Sequence, residues 1–127
     1  AAVAISPGLG QPHWFLGLAY EAAGERQQAV PELKQGLQLE PGLQTEQNIL
    51  YLIDILAEEK DYATILDYYQ LLSQWQPAEG YWHAKLAATY LAQGDRVMAL
   101  TEIMTAAELD MRLQAAAQKF IQDNNLQ

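Results

Sequence analysis

Apolar side chains recur at intervals of three and four residues from Gln11 to Ala23, which predicts an amphipathic helix. The positions expected on its buried side are Leu16, Ala19, Tyr20 and Ala23. Gly24 ends this pattern at a position suited to a left-handed cap. A second helical pattern runs from Arg26 to Leu39 and stops at Pro41, so the two segments predict a helical hairpin.

The same order of elements follows twice more along the chain. In the second pair of segments Thr45 and Asp61 are suited to cap the two helices, because short polar side chains accept hydrogen bonds from free N–H groups. In the third pair Gly94-Asp95 repeats the turn after the first helix. A last amphipathic segment, Arg112 to Asp123, predicts a short helix that covers the open side of the third pair. The chain is therefore predicted to be all-α.

The chain starts with a short apolar segment that runs into Pro7-Gly8, which is typical of the end of a helix rather than its beginning. We therefore expect residues 1–9 to be the remnant of an earlier pair of helices. The sequence predicts one domain over 1–127, with this remnant at 1–9, repeat units at 10–43, 44–79 and 80–111, and a capping helix with its tail at 112–127.

Aligned on one another, the three pairs resemble the tetratricopeptide repeat (TPR), a helix-turn-helix unit of about 34 residues with the pattern W-x2-L-G-x2-Y, A-x3-F, P. The first pair matches that pattern at Leu16, Gly17, Tyr20, Ala29 and Pro41, with His13 at the place of the Trp and Leu33 at the place of the Phe. The intervals from Pro7 to Pro41, from Pro41 to Pro77 and from Pro77 to Met111 are 34, 36 and 34 residues. The resemblance implies a TPR-type α–α superhelix of three helical hairpins plus the C-terminal capping helix.

Small residues at repeated places indicate where helices approach each other closely. Gly36 lies inside a predicted helix, where glycine costs about 1 kcal/mol relative to alanine. We therefore expect Gly36 at a tight helix crossing, with larger neighbours filling the space around it.

Composition narrows the classes of function. Sixteen acidic against seven basic residues give a net charge of -9, which would repel a nucleic-acid backbone or an anionic lipid surface. Cysteine is absent, so a thiolate metal site and a cysteine nucleophile are excluded. No apolar run approaches the roughly 18 residues that a membrane span needs. We expect no cofactor, no nucleic-acid partner and no direct membrane contact, while a cytoplasmic and a periplasmic location both stay open.

The two histidines are the residues that would first suggest an enzyme or a metal site. His13 and His83 fall at equivalent places of two units, where the resemblance implies an aromatic side chain packed against a neighbouring helix. Neither belongs to an H-E-x-x-H motif, and no phosphate-binding glycine loop or nucleophile elbow is present. We therefore expect both histidines to be structural, with no catalytic residue, no metal ligand and no enzyme activity.

The resemblance to TPR proteins implies that the first helices of successive units line a concave groove that holds peptides or helices. Carried over to this chain, the groove positions are Gln11, Trp14, Phe15, Leu18, Glu21, Gln47, Leu50, Tyr51, Asp54, Glu58, Tyr81, Ala84, Lys85, Ala88 and Leu91. The family's carboxylate clamp is absent, because its basic and amide places hold mostly apolar residues here and only Lys85 fits it. The groove is therefore predicted to be apolar and aromatic.

These features predict a non-catalytic scaffold that binds a protein or peptide with apolar or aromatic anchors. Acidic residues near the rim favour some basic character in that partner. Two alternatives remain: a self-association module, which would make the protein a homo-oligomer, or the C-terminal docking or regulatory tail of a larger bacterial envelope protein that handles membrane glycans. The aromatic groove positions could also be covered by missing upstream helices or by a neighbouring molecule.

Overall fold

The structure, a computed structural model, describes residues 10–127, and that part of the chain is all-α, as the sequence predicts. Its helices are α1 (Gly10–Ala22), α2 (Arg26–Leu39), α3 (Glu46–Glu59), α4 (Tyr62–Trp75), α5 (Gly80–Ala92), α6 (Arg96–Leu109) and α7 (Gln114–Asp123). Single 3₁₀ turns, Pro41–Leu43 and Met111–Leu113, precede α3 and α7. The helical remnant expected before Gly10 lies outside the described residues.

Contacts are concentrated within two compact units, Ala1–Glu59 and Lys60–Gln127. In unit 1, α1 packs along α2, and α2 contacts α3. In unit 2, α5 packs along α6, α4 covers another side of α5, and α7 packs on α6. The α1–α2 and α5–α6 hairpins correspond to the first and third pairs of segments that the sequence predicts.

The predicted turns and caps are confirmed. Gly24 and Gly94 have φ angles of +78° and +84°, a left-handed conformation that glycine adopts without steric cost. Asp61 accepts a hydrogen bond from the backbone N–H of Thr64 at 3.3 Å. Thr45 likewise caps α3 through the N–H of Asn48 at 3.2 Å. The caps at Thr45 and Asp61 place the starts of α3 and α4 where the sequence indicates.

The tight crossing expected at Gly36 is confirmed. A Cβ atom at Gly36 would lie 2.9 Å from the backbone N of Trp14 and 3.0 Å from the carbonyl oxygen of Gly10. Only a residue without a side chain lets α1 and α2 meet here. In unit 2 the equivalent crossing uses the glycine on the other helix, since a Cβ at Gly80 would lie 2.7 Å from the carbonyl oxygen of Ala106.

Each hairpin is closed by small and branched apolar side chains. In unit 1, Ala29 and Leu33 of α2 are fully buried, and Leu33 lies directly against Gly17 of α1. In unit 2, Ala87 and Ile103 form a buried cluster with Ala117 of α7. The last helix therefore covers the third hairpin, as a capping helix is expected to do.

The buried stripe predicted for α1 is wrong, since three of its four positions are exposed and the fourth, Tyr20, is only half-buried. Leu16 is 44% exposed, and Ala19 and Ala23 are exposed as well. The residues that α1 buries are Gly10, Trp14 and Gly17. The apolar periodicity of α1 is real, but the side of the helix that it marks is open in the part of the chain that the structure describes.

The α5 helix shows what such a stripe looks like when it is covered. Leu86, which corresponds to Leu16, is only 2% exposed, and Thr89 is 7% exposed. This side of α5 packs against α4. Residues 10–59 hold no helix in the equivalent place beside α1, which explains why the same pattern is exposed there.

We predict that Gly36→Leu lowers the melting temperature by roughly 5–10 °C, because a side chain there forces α1 and α2 apart. Thermal unfolding followed by circular dichroism measures the change. Gly42→Leu is the matched control, since the nearest atom to a Cβ at Gly42 is a side-chain oxygen of Glu40 at 3.8 Å. Equal melting temperatures for the two variants would contradict the packing described for Gly36.

Candidate partner-binding face

The fifteen groove positions predicted from the sequence are divided between the two units. Unit 1 carries Gln11, Trp14, Phe15, Leu18 and Glu21 on α1, and Gln47, Leu50, Tyr51, Asp54 and Glu58 on α3. Unit 2 carries Tyr81, Ala84, Lys85, Ala88 and Leu91 on α5. The exposed members are Gln11, Phe15, Gln47, Tyr51, Asp54, Glu58, Tyr81 and Ala88. The half-buried members are Leu18, Glu21, Leu50, Ala84, Lys85 and Leu91.

Trp14 is the exception, and its expected exposure is wrong. The side chain is only 6% exposed, and the backbone of Trp14 lies against Gly36 of α2. Its ring meets the Tyr51 ring edge-on, with 6.2 Å between the centroids. Trp14 therefore supports the surface from below and does not itself offer an exposed aromatic anchor.

The Trp14–Tyr51 pair brings α1 and α3 together at the surface of unit 1. Tyr51 is 37% exposed, and Phe15, which follows Trp14 on α1, is 63% exposed. One helical turn further along, Leu18 follows Phe15 on α1 and Asp54 follows Tyr51 on α3. We term the surface formed by Phe15, Leu18, Glu21, Tyr51 and Asp54 the α1–α3 face.

An ion network borders the α1–α3 face at the C-terminal ends of both helices. Arg26 Nε lies 3.4 Å from Glu21 Oε1, and Arg26 Nη2 lies 3.0 Å from Glu58 Oε2. One guanidinium is therefore shared by two carboxylates. Arg26 is not among the groove positions predicted from the sequence, although its place five residues after Glu21, just past a tight turn, is a signal for a pairing of the two side chains.

The negative charge of Glu21 acts on Tyr51, an aromatic residue of the α1–α3 face. Burial raises the pKa of Tyr51 above its ordinary value, and the nearby Glu21 carboxylate raises this pKa further, because both disfavour a charged phenolate. The other carboxylate oxygen of Glu21, Oε2, is buried and has no hydrogen-bond partner in the described residues. A buried carboxylate oxygen lowers the stability of the folded protein unless it accepts a hydrogen bond.

Unit 2 has an aromatic surface of its own at the start of α5. Tyr81 is 46% exposed and lies edge-on to the buried Trp82 ring, at 5.1 Å between centroids. Lys85 Nζ lies 5.2 Å from the centroid of the Tyr81 ring, a distance that suits a cation–π contact. Trp82 Nε1 donates to Gln76 Oε1 at 2.6 Å, which fixes the supporting ring. As in unit 1, an exposed aromatic residue rests on a buried tryptophan.

Both histidines bind a glutamate on the second helix of their own hairpin. His13 Nδ1 lies 2.7 Å from Glu32 Oε1, and His83 Nδ1 lies 2.6 Å from Glu102 Oε1. The identical geometry in the two hairpins supports the structural role predicted for both residues. Across residues 10–127 no three His, Asp or Glu side chains are grouped so that they could hold a metal ion.

A second concave surface lies between α6 and α7 in unit 2. It is an open groove of about 360 Å³ lined by Met104, Ala107, Glu108, Gln114, Ala117, Gln118 and Ile121. This groove contains none of the predicted groove positions. None of the helices described here is long and apolar enough to cross a membrane.

The fold is similar to that of a solved protein, MamA 41-end from Desulfovibrio magneticus RS-1, with a TM-score of 0.63 and 19% sequence identity. The aligned region covers 92% of this chain and 64% of that one, so this chain spans less than two thirds of the length of the protein it resembles. No protein-family model and no curated protein matches the sequence. The likeness shows the fold, an all-α helical-repeat architecture of the TPR type.

We predict that Glu21→Gln lowers the pKa of Tyr51, because the variant removes the negative charge that opposes phenolate formation while burial continues to raise this pKa. Titration of tyrosine ¹³Cζ resonances measures the change, and Tyr51→Phe assigns the resonance. Glu108→Gln removes a charge of α6 that is not among the causes of the raised Tyr51 pKa, so this variant should leave the pKa unchanged. The same Tyr51 pKa in Glu21→Gln and the unmodified protein would contradict this arrangement of the α1–α3 face.

Proposed function

We propose that this chain is a non-catalytic protein-interaction scaffold whose α1–α3 face binds a peptide or helix through apolar and aromatic contacts. The observation that carries the proposal is the pair of exposed aromatic residues, Phe15 and Tyr51, next to a buried Trp14. Large apolar side chains that are exposed on a protein of this kind commonly mark a binding surface. The helical-repeat fold is compatible with such a role.

Packing below the face supports the proposal. The backbone of Trp14 lies against Gly36, and the buried Trp14 ring supports the exposed Tyr51 ring that a partner would meet. A side chain that is ordered before binding loses little entropy when the partner arrives, and rigid aromatic residues often dominate binding energy for this reason.

The spacing of the exposed residues favours an extended segment or a helix as the ligand. Phe15 and Leu18 are one helical turn apart on α1, and Tyr51 and Asp54 are one turn apart on α3. Anchors at this helical spacing suit an amphipathic helix or an extended chain. We further propose that Tyr81 of unit 2 supplies a separate aromatic contact to a protein partner, since it is exposed and supported in the same manner.

The proposal that the chain is non-catalytic is supported by how its histidines are used. His13 and His83 each bind a glutamate within one hairpin, and the two stand at equivalent places of separate hairpins. Nucleophile, base and orienting group would have to meet in one place for the usual hydrolytic chemistry. The described residues instead use their histidines as repeated links between paired helices.

We predict that Phe15→Ala combined with Tyr51→Ala weakens peptide binding by about tenfold or more, because both exposed anchors are lost while Trp14 remains. The probe is a fluorescein-labelled amphipathic peptide of about 14 residues with leucine on one face and glutamine on the other. Fluorescence anisotropy gives the dissociation constant.

Val97→Ala is the matched control for this experiment, since Val97 is apolar, 76% exposed and located on α6 in unit 2. Circular dichroism and melting temperature establish that each variant remains folded. Unchanged affinity in the folded double variant would show that the α1–α3 face is not the binding surface.

A further inference from the structure

Glu21 stands where the apolar and the charged parts of the α1–α3 face meet. Its side chain is 20% exposed, and its only described donor is Arg26 Nε, which reaches Oε1 at a long 3.4 Å. The second oxygen, Oε2, is buried without a hydrogen-bond partner among residues 10–127. A carboxylate at this depth normally accepts several hydrogen bonds, so Glu21 has unused capacity for a donor.

Arg26 does not neutralise the acidic groups around the face. Its shorter contact, 3.0 Å, is with Glu58, and no ion pair is described for Asp54. Three carboxylates, those of Glu21, Asp54 and Glu58, therefore border the face with one guanidinium among them. The local charge is negative beside Tyr51, and the chain as a whole has a net charge of -9.

We propose that the partner of the α1–α3 face is a protein segment that places a lysine or arginine against Glu21 beside an apolar residue that packs on Phe15 and Tyr51. This inference rests on the function proposed above and specifies the chemistry of the ligand. The positive side chain supplies a further donor to the Glu21 carboxylate, whose side chain is 20% exposed. The apolar neighbour covers the exposed aromatic rings.

The geometry explains why a cation fits this place better than a neutral donor. A charged hydrogen bond to a carboxylate is about twice as strong as a neutral one, and partial burial reduces its screening by water and salt. A carboxylate rotates about its terminal torsion at little cost, so either oxygen of Glu21 can meet the incoming group. Arg26 acts in the free protein as an internal substitute for the partner's cation.

The role of Arg26 separates this inference from a general attraction of basic peptides to an acidic protein. If Arg26 occupies part of the position that the ligand's cation takes, then removing Arg26 should strengthen binding of a cationic ligand. A general attraction predicts the same small gain from the loss of any positive charge. Lys34 of α2, which is half-buried and remote in sequence from the acidic groups, provides the comparison.

The test compares two fluorescein-labelled amphipathic peptides of about 14 residues, one of leucine and lysine and one of leucine and glutamine. Anisotropy titrations use the folded full chain and four single variants: Glu21→Gln, Arg26→Gln, Glu108→Gln and Lys34→Gln. Glu108→Gln is the control for Glu21→Gln, and Lys34→Gln is the control for Arg26→Gln. Each control alters the net charge by the same amount as the variant that it matches. Circular dichroism establishes that each variant retains its helix content and melting transition.

We expect Glu21→Gln to raise the dissociation constant of the leucine–lysine peptide about fivefold and to leave that of the leucine–glutamine peptide unchanged. Glu108→Gln should change neither dissociation constant. We expect Arg26→Gln to lower the dissociation constant of the leucine–lysine peptide about threefold, and Lys34→Gln to cause no such decrease. Equal effects of each variant and its control would overturn the inference, since they indicate net charge alone.

The outcomes also distinguish this inference from the function on which it depends. If Phe15→Ala with Tyr51→Ala weakens both peptides while Glu21→Gln changes neither, the α1–α3 face binds ligands without selecting a cation, and only the inference fails. If the aromatic double variant changes neither peptide, the proposed function fails together with the inference.

Discussion

The approach of α1 to α2 at Gly36 leaves no space for a side chain, and the arrangement of unit 1 depends on that contact. The backbone of Trp14 lies against α2 there, and the ring of Trp14 is buried. Tyr51 of α3 then packs on the edge of the buried ring. The close approach of α1 and α2 positions the backbone of Trp14, and the ring of Trp14 supports Tyr51 on the neighbouring helix.

The sequence predicted most of the fold because the fold is determined by local signals that repeat. Helix periodicity, the glycine turns at Gly24 and Gly94 and the cap at Asp61 each act within a few residues, and all are found where expected. The sequence failed where exposure depends on what lies next to a helix. Leu16 and Leu86 occupy the same place in the pattern, yet one is exposed and the other buried beneath α4.

The same limit applies to the candidate site. The resemblance to TPR proteins placed Trp14, Phe15 and Tyr51 on one groove, but it could not show that Trp14 is buried beneath Tyr51. Nor could it show that Arg26 links Glu21 to Glu58, since that contact joins α2 to residues on two other helices. Both features arise from tertiary packing, and they give the face a rigid aromatic base and an incompletely neutralised acidic border.

The most direct test of the α1–α3 face as the binding surface is chemical-shift mapping of the ¹⁵N-labelled chain with the unlabelled leucine–lysine peptide. The account predicts that the largest amide shifts fall on Phe15, Leu18, Glu21, Tyr51 and Asp54, with little change along α7. Shifts concentrated instead on the α6–α7 groove around Met104 and Ile121 would contradict it, because that groove is also open and partly apolar.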